Sequence, residues 1–467
     1  MATQDDSQTL STDYLDLTLL PYGHTFQSLV VRPHGAPAPS STHEHDAKNS
    51  DVDASSPQPG PHDVDVLVGL EDSEEQHHSK ARSFFGPLVG RYANRLPAGR
   101  IELNTGAILN LTGSSGVCLH GGEAGFDTLP WTPISRTDSE LFSPDEPEHP
   151  LPPLPSDPHA APTEASAMYR LYSPAGSDGF PCTVTVESLV VVSAPKEEDN
   201  EGKTGKSVGK VKVVLRAHIK EDGDADIDKG TPINLTVHWG FRLDNCKEPD
   251  VLGHRLYINS DKLVALDEKG LSTGSIDPIP RGDGLDFYSS GLEGEHRKIG
   301  DGYPEGGIDR NFLFSYPPSS PSGPHSLSPT PQIVLSSPPS SGTSGGDPSL
   351  SLHFRSSLPS AQIYTAPSLD GTGPARKAVH MQSPADDDEG KQGYGAHGAV
   401  FLEFQQPVGT VMHTAVKGTE QGASELGRWL DERATKLGRD ERTWERDSVL
   451  RRGQVWESWV EMDVRVE

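Results

Sequence analysis

Apolar and polar residues alternate at period two along much of this chain, the signature of strands with one face buried. In "KVKVVLRAHI" (210–219), Val211, Val213, Leu215, Ala217 and Ile219 fall on one face and Lys212, Arg216 and His218 on the other. In "PINLTVHWGFRL" (232–243), Ile233, Leu235, Val237, Trp239, Phe241 and Leu243 share an apolar face. The opposite face carries Asn234, Thr236, His238, Gly240 and Arg242, a polar row free to meet something other than the core. Further strands are expected at 25–32, 182–193, 254–259, 361–366, 399–405 and 455–466. Helical spacing is convincing only late, where Leu426, Trp429, Leu430 and Leu437 predict a helix within 424–446. Many strands and one helix imply an all-β fold, an antiparallel sandwich with its chemistry on a concave polar face.

Composition explains what interrupts the alternation. Only 33% of the 467 residues are hydrophobic, against 48 Gly and 41 Pro, so the core is smaller than the chain length suggests. Stretches rich in Pro, Ser and acidic residues at 34–63, 138–165, 195–208, 317–350 and 383–392 are expected to be disordered loop insertions. A formal net charge of −28 argues against nucleic acid or an anionic membrane as partner, because both need clustered cations. Cys118, Cys182 and Cys246 are an odd set without paired spacing, and the start "MATQDDSQTLSTDY" lacks a signal peptide's basic and apolar regions. No apolar run approaches the roughly 20 residues of a membrane helix. A reduced, cytoplasmic chain is expected.

Two residues stand out for their surroundings. His238 shares the polar face of its strand with Asn234, Thr236 and Arg242, although a hydrogen-bonded strand histidine reads the same way. Glu403 lies among Phe401, Leu402 and Phe404, where an acid is costly unless paired or functional, and where burial would raise its pKa toward that of a useful base. "GRYANR" (90–95) sets Asn94 beside Arg95, either as surface polarity or as hydrogen-bonding groups for a sugar or a carboxylate. "VCLHGGEAGFDTLPW" (117–131) places His120 before two glycines, which would let backbone approach a ligand closely. "THEHD" (42–46) and His77-His78 carry metal-ligand types in sequence expected to be disordered, and there is neither a Gly-Lys phosphate loop nor a dinucleotide fingerprint. No metal and no cofactor is expected.

The blocks "FFGPLVGRYANRLPAGRIEL", "CLHGGEAGFDTLPW", "TPINLTVHWGFRL", "GGIDRNFLF", "AQIYTAPSLDGTG" and "FLEFQQP", together with "SPAGSDGFPCTVTV", "VALDEKGLSTGSI" and "SVLRRGQVW", follow one another in the order found in aldose 1-epimerases, the galactose mutarotases. The chain resembles that family from about residue 20 to its end. The resemblance implies one domain over 1–467, a large antiparallel β-supersandwich of the galactose mutarotase-like kind, interrupted by the insertions above. It implies interconversion of the α and β anomers of a free aldohexose such as glucose or galactose, with His238 as acid and Glu403 as base. Asn94, Arg95, His120, Asp309 and Gln362 would be the sugar-binding set. A sugar would be the only partner of a monomeric enzyme. Val237 and Gly240 depart from the family's usual Asn and Tyr around the histidine, and Phe404 from its usual Thr. Because Gly240 shares the face of His238, a gap beside the sugar is expected there, with room for a disaccharide. Two other readings of the same fold are a non-catalytic sugar-binding or regulatory protein and an epimerase of hexose phosphates.

Overall fold

A computed structural model describes residues 7–35, 60, 62–71, 82–143, 163–200, 205–221, 227–315, 330–338, 349–381, 392–413, 424–437 and 444–467. The period-two segments form strands: Thr25–Val31, Val184–Ser193, Lys206–Ile219, Arg255–Ile258, Ser360–Tyr364, Val400–Gln405 and Val455–Val466. Nine strands make the larger sheet, in the order Thr132–Pro133, Glu164–Ser173, Val184–Ser193, Lys206–Ile219, Val455–Val466, Leu350–Ser356, Ile333–Ser336, Arg255–Ile258 and Arg297–Lys298. Six make the other, in the order Trp239–Phe241, Val400–Gln405, Ser360–Tyr364, Asp309–Leu313, Lys262–Leu266 and Ser272–Pro278. Neighbours in both run antiparallel. The fold is all-β.

Alternation decides what the sandwich buries. Val211, Val213, Leu215, Ala217 and Ile219 of the large sheet belong to one core cluster with Trp239, Phe241, Phe312, Ala361, Ile363, Leu402 and Phe404 of the small one. Ring contacts cross between the layers, with Phe354 of the large sheet 5.4 Å from Phe241 and 5.5 Å from Phe404. The other face of the six-stranded sheet carries two separate apolar patches. Phe401 and Tyr364 pack with Val68, Phe85 and Tyr394 at one end. At the other, Val264 and Leu313 pack against Leu426 and Leu430. Polar residues occupy the band between them.

Three expectations need correction. Segment 232–243 keeps its alternation, with Ile233, Leu235, Val237, Trp239, Phe241 and Leu243 all in the core. It is not one strand, however. Thr231–Pro232, Thr236–Val237 and Trp239–Phe241 pair in turn with Val449–Leu450, Leu88–Val89 and Val400–Leu402. Its polar row is buried too, because other segments cover it. The helix is shorter than 424–446: it spans Glu425–Lys436, started by Ser424, whose side chain accepts from the Gly427 N–H, and a separate turn follows at Trp444–Asp447.

The expected insertions are ordered where they can be described. Ile333–Ser336, inside 317–350, is a strand with all four residues buried, and that range also takes in the start of Leu350–Ser356. Phe142, within 138–165, packs on Met168 and Leu189, and strand Glu164–Ser173 begins before that range ends. Within 195–208 a short helical turn, Glu197–Asp199, precedes the strand that begins at Lys206. Their Pro- and Ser-rich surroundings hid short apolar runs that bury as internal strands. Nearly all of 34–63 and 383–392, "THEHD" and His77-His78 lie outside the described residues. Among the described residues no helix is long and apolar enough to cross a membrane.

Candidate active site

Strand register assembles the site. Asn311 pairs with Gln362 and Gln362 with Glu403, so three polar side chains stand side by side on the outer face of adjacent strands. Trp239 pairs with Leu402, which brings the preceding His238 alongside Glu403. The imidazole Nε2 of His238 lies 3.4 Å from Glu403 Oε1. Asp309, two residues before Asn311 on the same face, accepts from Gln362 Nε2 at 2.5 Å and faces Arg95 Nη2 at 3.4 Å. Glu403 is 3% exposed and Gln362 1%, whereas the side chain of Asp309 is 37% exposed. The mouth is therefore at Arg95 and Asp309, and the floor at Glu403 and Gln362.

Two loops from the first third of the chain complete it. Asn94 and His120 both have positive φ, 67° and 49°, and lock together. The His120 N–H donates to the Asn94 carbonyl at 3.0 Å, and the Asn94 N–H donates to His120 Nδ1 at 3.2 Å. That bond leaves His120 Nε2 to point onward, and the ring meets His238 edge-on at 5.3 Å. The side chain of Asn94 accepts from the Arg95 N–H and so holds its own loop. Gly121 and Gly122 serve packing, contrary to the close approach to a ligand expected of them. A Cβ on Gly121 would meet the Gly90 carbonyl oxygen at 2.0 Å, and one on Gly122 the Asp178 carboxylate at 2.6 Å.

Burial sets the electrostatics. It pushes the Glu403 carboxyl up to about 8, with a smaller push from Asp309 and opposition from Arg95. It pulls His238 down to about 4. His120 is held well below 6.5 by burial first, then by His238 and Arg95. Burial thus favours the uncharged form of each group, protonated Glu403 beside neutral His238. Glu403 Oε2 and His238 Nδ1 have no hydrogen-bond partner among the described residues. His120, His238 and Glu403 offer ligand-type atoms within 4.8 Å of one another, a set able to hold a cation.

All seven residues singled out from sequence, Asn94, Arg95, His120, His238, Asp309, Gln362 and Glu403, converge here. The gap expected beside Gly240 is absent: a Cβ there would meet Val68 Cγ2 at 2.4 Å and Phe401 Cε1 at 2.6 Å. The Phe401 ring fills that space and stands 5.0 Å from His238. Val237 and Phe404 belong to the core. Phe84 escaped sequence reasoning; its ring lies 4.8 Å from His120 and 5.6 Å from His238. Arg82 covers that ring at 4.7 Å, donates to Asp127 with both arms of its fork, and donates to the Gly122 carbonyl at 2.5 Å. The only sequence trace of this strap was Asp127 in "GFD", which gave no hint of its partner. Asn311 was missed as well, being an ordinary polar position until register is known.

The aldose 1-epimerase family model matches residues 181–407, the span that holds His238, Asp309, Gln362 and Glu403. An aldose 1-epimerase of Haemophilus influenzae is 27% identical over 310 residues, 66% of this chain and 70% of that protein. A galactose mutarotase of Rattus norvegicus is 26% identical over 250 residues, 54% of this chain and 57% of its own length. The matched span is thus little more than half the length of the mammalian relative. Among solved structures, an aldose epimerase homologue from C. elegans superposes with a TM-score of 0.59 at 16% identity, covering 98% of this chain and 99% of that one. A galactose 1-epimerase from Lactobacillus acidophilus gives 0.57 at 18%, covering 98% and 94%. The family model over 181–407 and these relatives, carried on a fold of the same kind, make the chain similar to the aldose 1-epimerases, a family of isomerases.

Proposed function

We propose that the protein interconverts the anomers of a free aldohexose, glucose or galactose, by acid–base ring opening and reclosure. The observation that carries this is the buried pair His238 and Glu403, 3.4 Å apart, where burial pushes the carboxyl up and the imidazole down. Ring opening needs a proton delivered to the ring oxygen and one removed from the C1 hydroxyl, both on the same edge of the sugar. Adjacent groups on one side of the substrate meet that need better than groups placed across it. In the working cycle the proton of Glu403 passes to His238 Nε2. The imidazolium then donates to the ring oxygen while the carboxylate takes the C1 hydroxyl proton, and the C1 to ring-oxygen bond breaks. The open-chain complex holds neutral His238 and protonated Glu403, which is the distribution favoured in the resting site. Burial therefore favours the uncharged pair before and after ring opening alike, and the ion pair forms only in the passage between them. Rotation about C1–C2 and the reverse proton transfers give the other anomer.

Asn94, Arg95, His120, Asp309 and Gln362 would fix the sugar through its hydroxyls, which take donors and acceptors at set positions. Phe401 and Phe84 wall the space near His238, so a monosaccharide fits this reading and the disaccharide expectation lapses with the gap. Against a hexose phosphate, Arg82 is committed to Asp127 and Arg242 to Asp244, which leaves Arg95 and Arg310 beside Asp309 as the cations near the mouth. Cys118, Cys182 and Cys246 form no disulfide. The reading is tested by polarimetry of fresh α-D-glucose, α-D-galactose and α-D-glucose 6-phosphate. Equilibration of the free sugars ahead of the spontaneous rate is expected. Catalysis confined to the phosphate, or none, would overturn it.

A further inference from the structure

The register that joins His238, Glu403 and Gln362 does not stop there. Asn311 sits directly beside Gln362 on the same face, two strands from Glu403, or about 10 Å at the usual strand spacing. Asn311 is 0% exposed, and neither its Oδ1 nor its Nδ2 has a hydrogen-bond partner among the described residues. Gln362 gives its Nε2 to Asp309, while its Oε1 is likewise without a partner. A buried amide left without partners is costly, by more than a formed hydrogen bond is worth, and such groups are kept where a ligand or water completes them. Both ends of Asn311 are open, one donor and one acceptor, which is the complement of a hydroxyl group. Nearby chemistry agrees, since the side chains next to it on this face are Asp309 and Gln362, at the mouth and floor of the site. On its far side Leu313 is covered by the helix Glu425–Lys436, so Asn311 closes one end of the polar band and the acid–base pair the other.

We propose that Asn311 is a substrate-contacting specificity residue, whose amide, with Gln362 Oε1, takes a sugar hydroxyl remote from C1. This rests on the reading of the site as an aldose site. With the reacting edge at His238 and Glu403, the far end of the pyranose reaches toward Asn311, so this residue discriminates aldoses by the hydroxyl they present there.

Deoxyhexoses provide the test. Binding by calorimetry and kcat/KM by polarimetry are measured for glucose, galactose and their 3-, 4- and 6-deoxy forms, on the wild type, Asn311→Leu, Asn311→Ser and Gln405→Met. Gln405 serves as a control, because it is buried, its amide lacks a partner among the described residues, and it lies one step further toward the helix. The wild type is expected to disfavour one deoxyhexose by about tenfold or more. Asn311→Leu is expected to treat the parent sugar no better than that deoxyhexose and to lose nothing further on its deoxygenation. Should Asn311→Leu fail to fold, Asn311→Ser carries the same comparison. A folded Asn311 variant that keeps the full discrimination, or that weakens every sugar alike as a buried-amide change at Gln405 would, overturns the proposal. A wild type that neither binds nor turns over any free aldose overturns instead the reading beneath it.

Discussion

Glu403 costs the folded protein stability so that its carboxyl can keep a proton near pH 7. Its pKa rises from 4.5 to about 8 on folding, so the folded state binds that proton more tightly than the unfolded chain does. The associated stability is present below about 4.5 and is lost as pH climbs through about 8. Glu403→Gln removes this term. Its melting temperature is expected to exceed that of the wild type by several degrees at pH 9 and by clearly less at pH 5; a constant difference would mean that the carboxyl is not buried protonated. Activity moves the other way. Glu403→Gln and His238→Ala should each lower mutarotation by about 100-fold or more, the scale of losing a general base or acid, with circular dichroism unchanged. Glu403 was visible in sequence because it interrupts an apolar run, and His238 because alternation sets it in a row of polar residues. Asn311 and Phe84 carry no such mark, since their importance arises from register across strands and from a loop folded over His120, which no local pattern records.

Elements show where local reading succeeds and where it fails. The strand face at 210–219 follows from alternation alone because a single sandwich core collects it. Segment 232–243 kept its faces but lost its continuity, since its three short pieces pair with three distant partners that only the tertiary fold supplies. Strand Ile333–Ser336 was masked by its Pro- and Ser-rich flanks, yet it pairs with both Arg255–Ile258 and Leu350–Ser356 inside the large sheet. Deleting residues 320–347 is therefore expected to abolish soluble expression rather than to leave the protein unchanged. A soluble deletion variant with a wild-type melt would show that this strand is dispensable. Gly240→Tyr meets Val68 and Phe401 and is expected to destabilise by about 1–3 kcal/mol, as overpacking does, seen as a lowered urea midpoint; a midpoint equal to the wild type's would mean that the Phe401 wall is not closed. The same comparison holds for the late helix, where Leu430→Ala should cost about 2–5 kcal/mol because Leu430 seals the band's apolar edge against Leu313.

At the scale of the whole molecule, a sandwich keeps one sheet face dry for stability and turns the other to chemistry. Two apolar patches, one capped by a helix, leave a polar band four residues wide on the outer face of the six-stranded sheet. Desolvation of that band gives His238 and Glu403 one proton to pass between them, with His238 down at about 4 and Glu403 up at about 8. Below about 4 the pair carries two protons and above about 8 none, so only the window between supports transfer in both directions. The most direct measurement of this account is the polarimetric rate of fresh α-D-glucose and α-D-galactose from pH 3.5 to 9, with the spontaneous rate subtracted, for the wild type and Glu403→Gln. A bell with limbs near 4 and 8 for the wild type, collapsing in Glu403→Gln, is the predicted result. A wild-type rate equal to the spontaneous one at every pH, or a bell that survives Glu403→Gln, would contradict it.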